Sequence, residues 1–199
     1  MFELVYPPAS ETAPLLPRPS ATCEAPETGP ASEMLPVTEE SGLVIGQATR
    51  KSCHTLPQRF LHPVVHLHLL DRFCNIYLQK RAKSKQLYPG YWDFAVAGHV
   101  IYGELMQEAL YREAEEELGL TSFNPTYIQT YPYEAPDFRE ITSVYAVIGN
   151  FSPVPQETEV EDGRWWSIEE VEEAMGKGIL TPVFEYEFTL IKTKLLSLL

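Results

Sequence analysis

The sequence predicts a mixed α/β fold, a mixed sheet packed between helices, with an N-terminal extension. Three observations carry that expectation. Runs rich in β-branched and aromatic residues recur at 64–70, 76–81, 126–133 and 141–148, the composition of strands. Between the second and third runs, residues 107–118 hold no Pro or Gly and close on Gly119, well placed as the residue that ends a helix. The chain has 199 residues, 44% of them hydrophobic and 12% aromatic, enough to bury one sizeable core.

Taken in order, residues 1–33 are rich in Pro, Ser, Thr, Ala and Glu and lack periodicity, so they read as a flexible or extended leader. Residues 34–199 read as a single domain. It opens with a hairpin from Leu35 to Thr49 that turns at Glu40-Ser41-Gly42. Strands over Val64–Leu70 and Ile76–Arg81 follow, joined by a turn at Asp71–Asn75, and Trp92–Ala97 adds a short strand before the helix. After it, Thr126–Tyr133 and Ile141–Ile148 flank a loop at Glu134–Glu140, and Arg164–Ser167 closes the strands. Ser167 is placed to cap a helix starting Ile168-Glu169-Glu170, and Thr181-Pro182 opens a last helix running to about Leu198.

Composition excludes several classes. A net charge of −13 argues against a nucleic-acid binder, because phosphate backbones demand a basic surface. Cys23, Cys53 and Cys74 are odd in number and widely spaced, which suits reduced thiols in a cytoplasmic protein and no disulfide framework. The first ten residues lack the basic and apolar regions of a signal peptide. The apolar run Pro63–Leu70 is far too short to span a membrane.

The densest acidic cluster lies at Gly98–Leu120, GHVIYGELMQEALYREAEEELGL. On a helix, Glu113, Glu116 and Glu117 stand at i, i+3 and i+4 and share one face, while Leu110, Ala114 and Leu118 form a stripe suited to a core. Glu108 and Glu115 point to solvent. Three carboxylates on one face repel one another, and a helix built only for solubility would interleave Lys or Arg. Divalent cations would remove the conflict: Mg²⁺ favours carboxylate oxygens, keeps several waters and is completed by substrate phosphates. A solvated acidic face is the alternative.

The full pattern is Gly98, Glu104 after five residues, then Arg112-Glu113 after seven more, then Glu116-Glu117 and Gly119. It resembles, without a gap, the signature of the Nudix hydrolases, with Ala114 where a larger aliphatic is commoner. The resemblance implies an α/β/α sandwich and a Mg²⁺- or Mn²⁺-dependent hydrolase cleaving a phosphoanhydride bond in a diphosphate-linked small molecule. By the same resemblance Glu113, Glu116 and Glu117 hold the metal, with the Gly98 carbonyl as a further ligand. Arg112 orients the catalytic glutamates through charge-assisted hydrogen bonds, and Glu104 plays a supporting part. Candidates for a base on a later loop are Glu140, Glu159 and Glu161. Many relatives pair, so a homodimer is implied.

Lys80, Arg81, Lys83 and Lys85 gather just before this segment, four of the fifteen basic residues in an acidic chain. A solvated loop would account for them; a phosphate clamp would as well. The region resembles one branch in particular, the isopentenyl diphosphate isomerases and their hydrolase-like relatives. There an Arg-Ala-x-x-Lys segment holds the substrate diphosphate, matching Arg81 and Lys85. Three metal-binding histidines have counterparts in His54, His62 and His99, the first two spaced slightly wider. Two departures separate this chain from the isomerases. Ala97 stands where the catalytic Cys would be, and Phe138-Arg139-Glu140 stands where a Glu-x-Glu would be, leaving Glu140 as a substrate contact. The competing expectations are therefore hydrolysis, prenyl diphosphate isomerisation, and a catalytically silent fold used for ligand sensing.

Overall fold

The computed structural model describes residues 1–6, 32–55, 57, 59–85, 87–156 and 160–198. The order of elements is β1 (Met34–Thr38), β2 (Val44–Thr49), α1 (Arg50–Cys53), β3 (Leu61–Leu70), β4 (Ile76–Arg81), β5 (Trp92–Asp93) and β6 (Val96–His99). There follow α2 (Met106–Leu118), β7 (Thr126–Glu134), β8 (Arg139–Ile148), β9 (Val160–Trp166), α3 (Ile168–Ala174) and α4 (Pro182–Leu196). This is the expected α/β fold. One sheet is the β1–β2 hairpin, and the other has seven strands in the order β5-β4-β3-β8-β7, with β6 on β3 and β9 on β4. Several details differ from the expectation: β3 begins at Leu61 and β9 at Val160, both earlier than expected, and β7 and β8 take in Glu134, Arg139 and Glu140 from the expected loop. The stretch Trp92–Ala97 forms two short strands with a break at Phe94-Ala95, and the four-residue α1 was not foreseen.

The chain forms two compact units: Met1–Val65 with Gly98–Ala109 and Thr130–Ser143, and His66–Ala97 with Leu110–Gln129 and Val144–Leu199. In the first, Leu35, Val37, Ala48 and Cys53 are buried together with Phe60 against them. Thr49 caps α1 by accepting from the Ser52 amide. Glu33 adjoins this start: its carbonyl accepts from the Arg50 amide at 2.8 Å.

The first six residues are tied to the same unit. The Val5 amide donates to the Gly42 carbonyl at 3.0 Å, and the Val44 amide donates to the Val5 carbonyl at 2.9 Å. Tyr6 Oη accepts from the Gly103 amide at 2.9 Å, and its ring meets Tyr102 edge-on at 5.4 Å. Gly42 is required here: its φ is +89°, and a Cβ would fall 2.5 Å from the Glu3 carbonyl. A boundary at residue 33 therefore does not detach residues 1–6 from the domain, and residues 7–31 lie outside the described residues. Tyr6→Phe should cost about 0.5–1.5 kcal/mol, the net worth of one hydrogen bond. Urea unfolding reads it, and an unchanged midpoint would return Tyr6 to the expected leader.

In the second unit, β4 pairs antiparallel with β9 from Ile76↔Trp166 to Arg81↔Val160, shifting register between Lys80 and Arg81. Asp71 closes the turn into β4, its carboxylate accepting from the amides of Phe73 and Asn75 at 2.8 and 2.9 Å. Phe94 packs on Phe184, and Phe184 stacks on Phe188, with centroids 5.4 and 5.8 Å apart. Ser167 and Glu170 form a reciprocal capping box on α3, and Thr181 caps α4 with Pro182 in its first turn.

Candidate functional site

Helix α2 carries the acidic face. It ends where expected: the Leu120 amide reaches back to the Ala114 carbonyl at 3.0 Å while Gly119 takes φ +66°. Leu110, Ala114 and Leu118 are buried, and Glu108 and Glu115 are exposed, so the helix is oriented as its periodicity demands. Arg112 Nη1 donates to Glu113 Oε1 at 2.7 Å and to Glu116 Oε2 at 3.3 Å. One guanidinium thus holds two of the three carboxylates. The third, Glu117, accepts from Gln79 Nε2 at 3.0 Å. Glu104 supports the start of the helix, accepting from the Ile101 amide at 3.0 Å.

The basic segment is largely engaged by protein groups. Arg81 Nη1 meets Asp93 Oδ2 at 3.0 Å, and its Nε donates to the Leu87 carbonyl at 3.1 Å. Asp93 also accepts from Thr181 Oγ1 at 2.7 Å, so the cap of α4 and the Arg81 fork share one carboxylate. Lys80 and Lys83 both face Glu161, at 3.3 and 3.7 Å. Lys85 is half-buried. Glu159 lies outside the described residues.

A second constellation sits in the other unit. His54, at the end of α1, His62 in β3, His99 at the end of β6 and Glu140 in β8 bring one ligand atom each within 4.8 Å of one another. Sequence reasoning matched the three histidines as a set, by resemblance, and set Glu140 apart as a substrate contact or a base on a later loop. The fold gathers all four. His54 Nε2 and His99 Nε2 are 2.9 Å apart. His62 is fully buried; its Nδ1–H donates to the Phe60 carbonyl at 2.8 Å, which leaves Nε2 unprotonated. That Nε2 is buried with no hydrogen-bond partner among the described residues, and it lies 3.9 Å from Glu140 Oε1. Burial, and then the neighbouring His54, push the His62 imidazole down to about 3. Burial, and then Arg50, push His54 down to about 4. Both rings are therefore neutral near pH 7, the state in which imidazole ligates a metal. Phe138 closes on this group, 5.9 Å from the His54 ring.

A mixed sheet with helices, one of which carries a carboxylate face, makes this an α/β domain. The NUDIX-domain profile matches residues 60–185, and the chain belongs to the Nudix family. It is 32% identical over 126 residues to an uncharacterized Nudix hydrolase of Listeria monocytogenes, covering 62% of this chain and 74% of that one. It is 30% identical over 146 residues to the isopentenyl-diphosphate Δ-isomerase of Clavibacter sepedonicus, covering 67% and 73%. Among solved structures, the protein DR0079 of Deinococcus radiodurans superposes with a TM-score of 0.63 at 25% identity, covering 75% of this chain and 92% of that one. Among the described residues no helix is long and apolar enough to cross a membrane.

Proposed function

We propose that this protein hydrolyses a phosphoanhydride bond in a diphosphate-linked small molecule with the help of Mg²⁺ or Mn²⁺. One observation carries the reading: Glu113, Glu116 and Glu117 share a helix face and are each held by a partner, Arg112 or Gln79, rather than left to repel one another. An all-oxygen donor set suits a hard cation, which on binding would neutralise diphosphate charge and polarise a water. Glu113, Glu116 and Glu117 would hold it, and the Gly98 carbonyl is carried over as a further ligand from the family resemblance. Arg112 would keep two of the carboxylates aimed. Arg81, its plane set by Asp93 and the Leu87 carbonyl, would meet substrate phosphate together with Lys85. A homodimer is carried over from the same resemblance.

The reading extends to His54, His62, His99 and Glu140. Three imidazoles and one carboxylate fit a transition-metal ion such as Zn²⁺ or Mn²⁺ better than Mg²⁺, and the unpartnered His62 Nε2 is the donor awaiting one. The full chain should bind one such ion there, and His62→Ala should lose it in metal analysis after dialysis. Equal metal content in both proteins would sink this assignment.

The same four residues favour a second reading, prenyl diphosphate isomerisation. Ala97 and Phe138 oppose it, since neither side chain has an ionisable group to donate or accept a proton. A panel of nucleoside diphosphate sugars, dinucleotides, ADP-ribose and prenyl diphosphates separates the two. Metal-dependent release of a phosphorylated product supports hydrolysis. Double-bond migration in isopentenyl diphosphate without cleavage would overturn it.

A further inference from the structure

Gln79 brings an amide into the buried half of its strand. It lies in β4, opposite Asp93 of β5 and Gly163 of β9, and is 5% exposed. Its amide nitrogen donates to Glu117 Oε2 at 3.0 Å and to the Ala95 carbonyl. Both partners are acceptors only, so the amide has one sensible orientation: turned over, its oxygen would face two oxygens. Both amide hydrogens are then spent. Gln79 Oε1 is left buried, without a hydrogen-bond partner among the described residues.

Packing alone would not select this residue. Ile76, Tyr77 and Leu78 precede it, all buried, and a Met or Leu at position 79 would fill the space with no orphaned oxygen. What the amide supplies is a neutral donor. A Lys or Arg would also hold Glu117, but it would add a second cation beside Arg112, which already engages the other two carboxylates. An amide fixes the carboxylate's direction and leaves its charge available. We infer that Gln79 is a positioning residue for Glu117, holding that carboxylate in place for the catalytic cation. The inference rests on the proposal that Glu117 is a metal ligand.

Direct Mn²⁺ titration of the full chain, read by the electron paramagnetic resonance of the free ion, tests it. All proteins carry His62→Ala so that the ion does not also report the His54 group. Gln79→Met should keep a cooperative thermal transition and weaken Mn²⁺ binding about 10- to 100-fold, the usual effect of removing a partner behind a ligand. In a Glu117→Gln background the same replacement should change Mn²⁺ affinity less than twofold, because the group it positions is gone. A merely structural role would move both backgrounds equally, and that result, or an unchanged affinity in Gln79→Met, overturns the inference. If Glu117→Gln alone leaves affinity unchanged, the ligand assignment fails instead. Should Gln79→Met not fold, Gln79→Asn, whose amide falls one methylene short, carries the same comparison.

Discussion

Glu116→Gln and Glu117→Gln should each lower kcat on the correct diphosphate by on the order of a hundredfold or more while the protein stays folded. The replacements keep shape and remove only charge. Glu116 has a side chain 57% exposed and Glu117 is half-buried, so neither is needed to fill the core. Glu117→Gln also retains an oxygen for the Gln79 amide, which keeps the local geometry. Arg112→Ala should act in the same direction by releasing Glu113 and Glu116 together. Steady-state kinetics at saturating Mg²⁺, beside thermal melting, decides the matter. Wild-type turnover in both glutamine variants would return the acidic face to simple solvation.

Glu187→Ala should destabilise the protein by about 3–5 kcal/mol, the cost of breaking a buried ionic group on one side. Glu187, on α4, is fully buried. Its two oxygens accept from His66 Nδ1 at 2.7 Å and from His68 Nε2 at 2.6 Å, and Phe94 stacks on His66 at 3.9 Å. Without the carboxylate, two buried imidazoles of β3 lose their acceptor. Burial by itself raises the Glu187 pKa, but attraction and hydrogen bonds from His66, then His68, outweigh it and hold the carboxyl down at about 2. The folded value lies below the ordinary 4.5, so its contribution is fully present above pH 4.5 and drains away as pH falls toward 2. Urea midpoints of wild type and Glu187→Gln should therefore converge between pH 6 and pH 2.5. A gap that stays constant across that range would mean the contact stabilises by packing alone.

The sequence alone was enough wherever the cause is local. Glu113, Glu116 and Glu117 share a face because the helical period places i, i+3 and i+4 together, whatever surrounds the helix. The Leu35–Thr49 hairpin, the turn at Asp71 and the caps at Ser167 and Thr181 follow from residues a few positions apart. Arg81 was legible as a cation in a basic stretch, but not its commitment to Asp93, which lies across the β4–β5 pairing. The short α1 escaped notice because four residues make too little helix for periodicity to register. Tertiary structure decided the rest. His54 and Glu140 stand 86 positions apart and meet only because α1, β3, β6 and β8 bring these side chains to one place. Gln79 reaches Glu117 across 38 positions and His66 reaches Glu187 across 121. No local rule encodes such pairs: each is a polar group that burial forces to find a partner, and only the fold determines which one is near enough to answer.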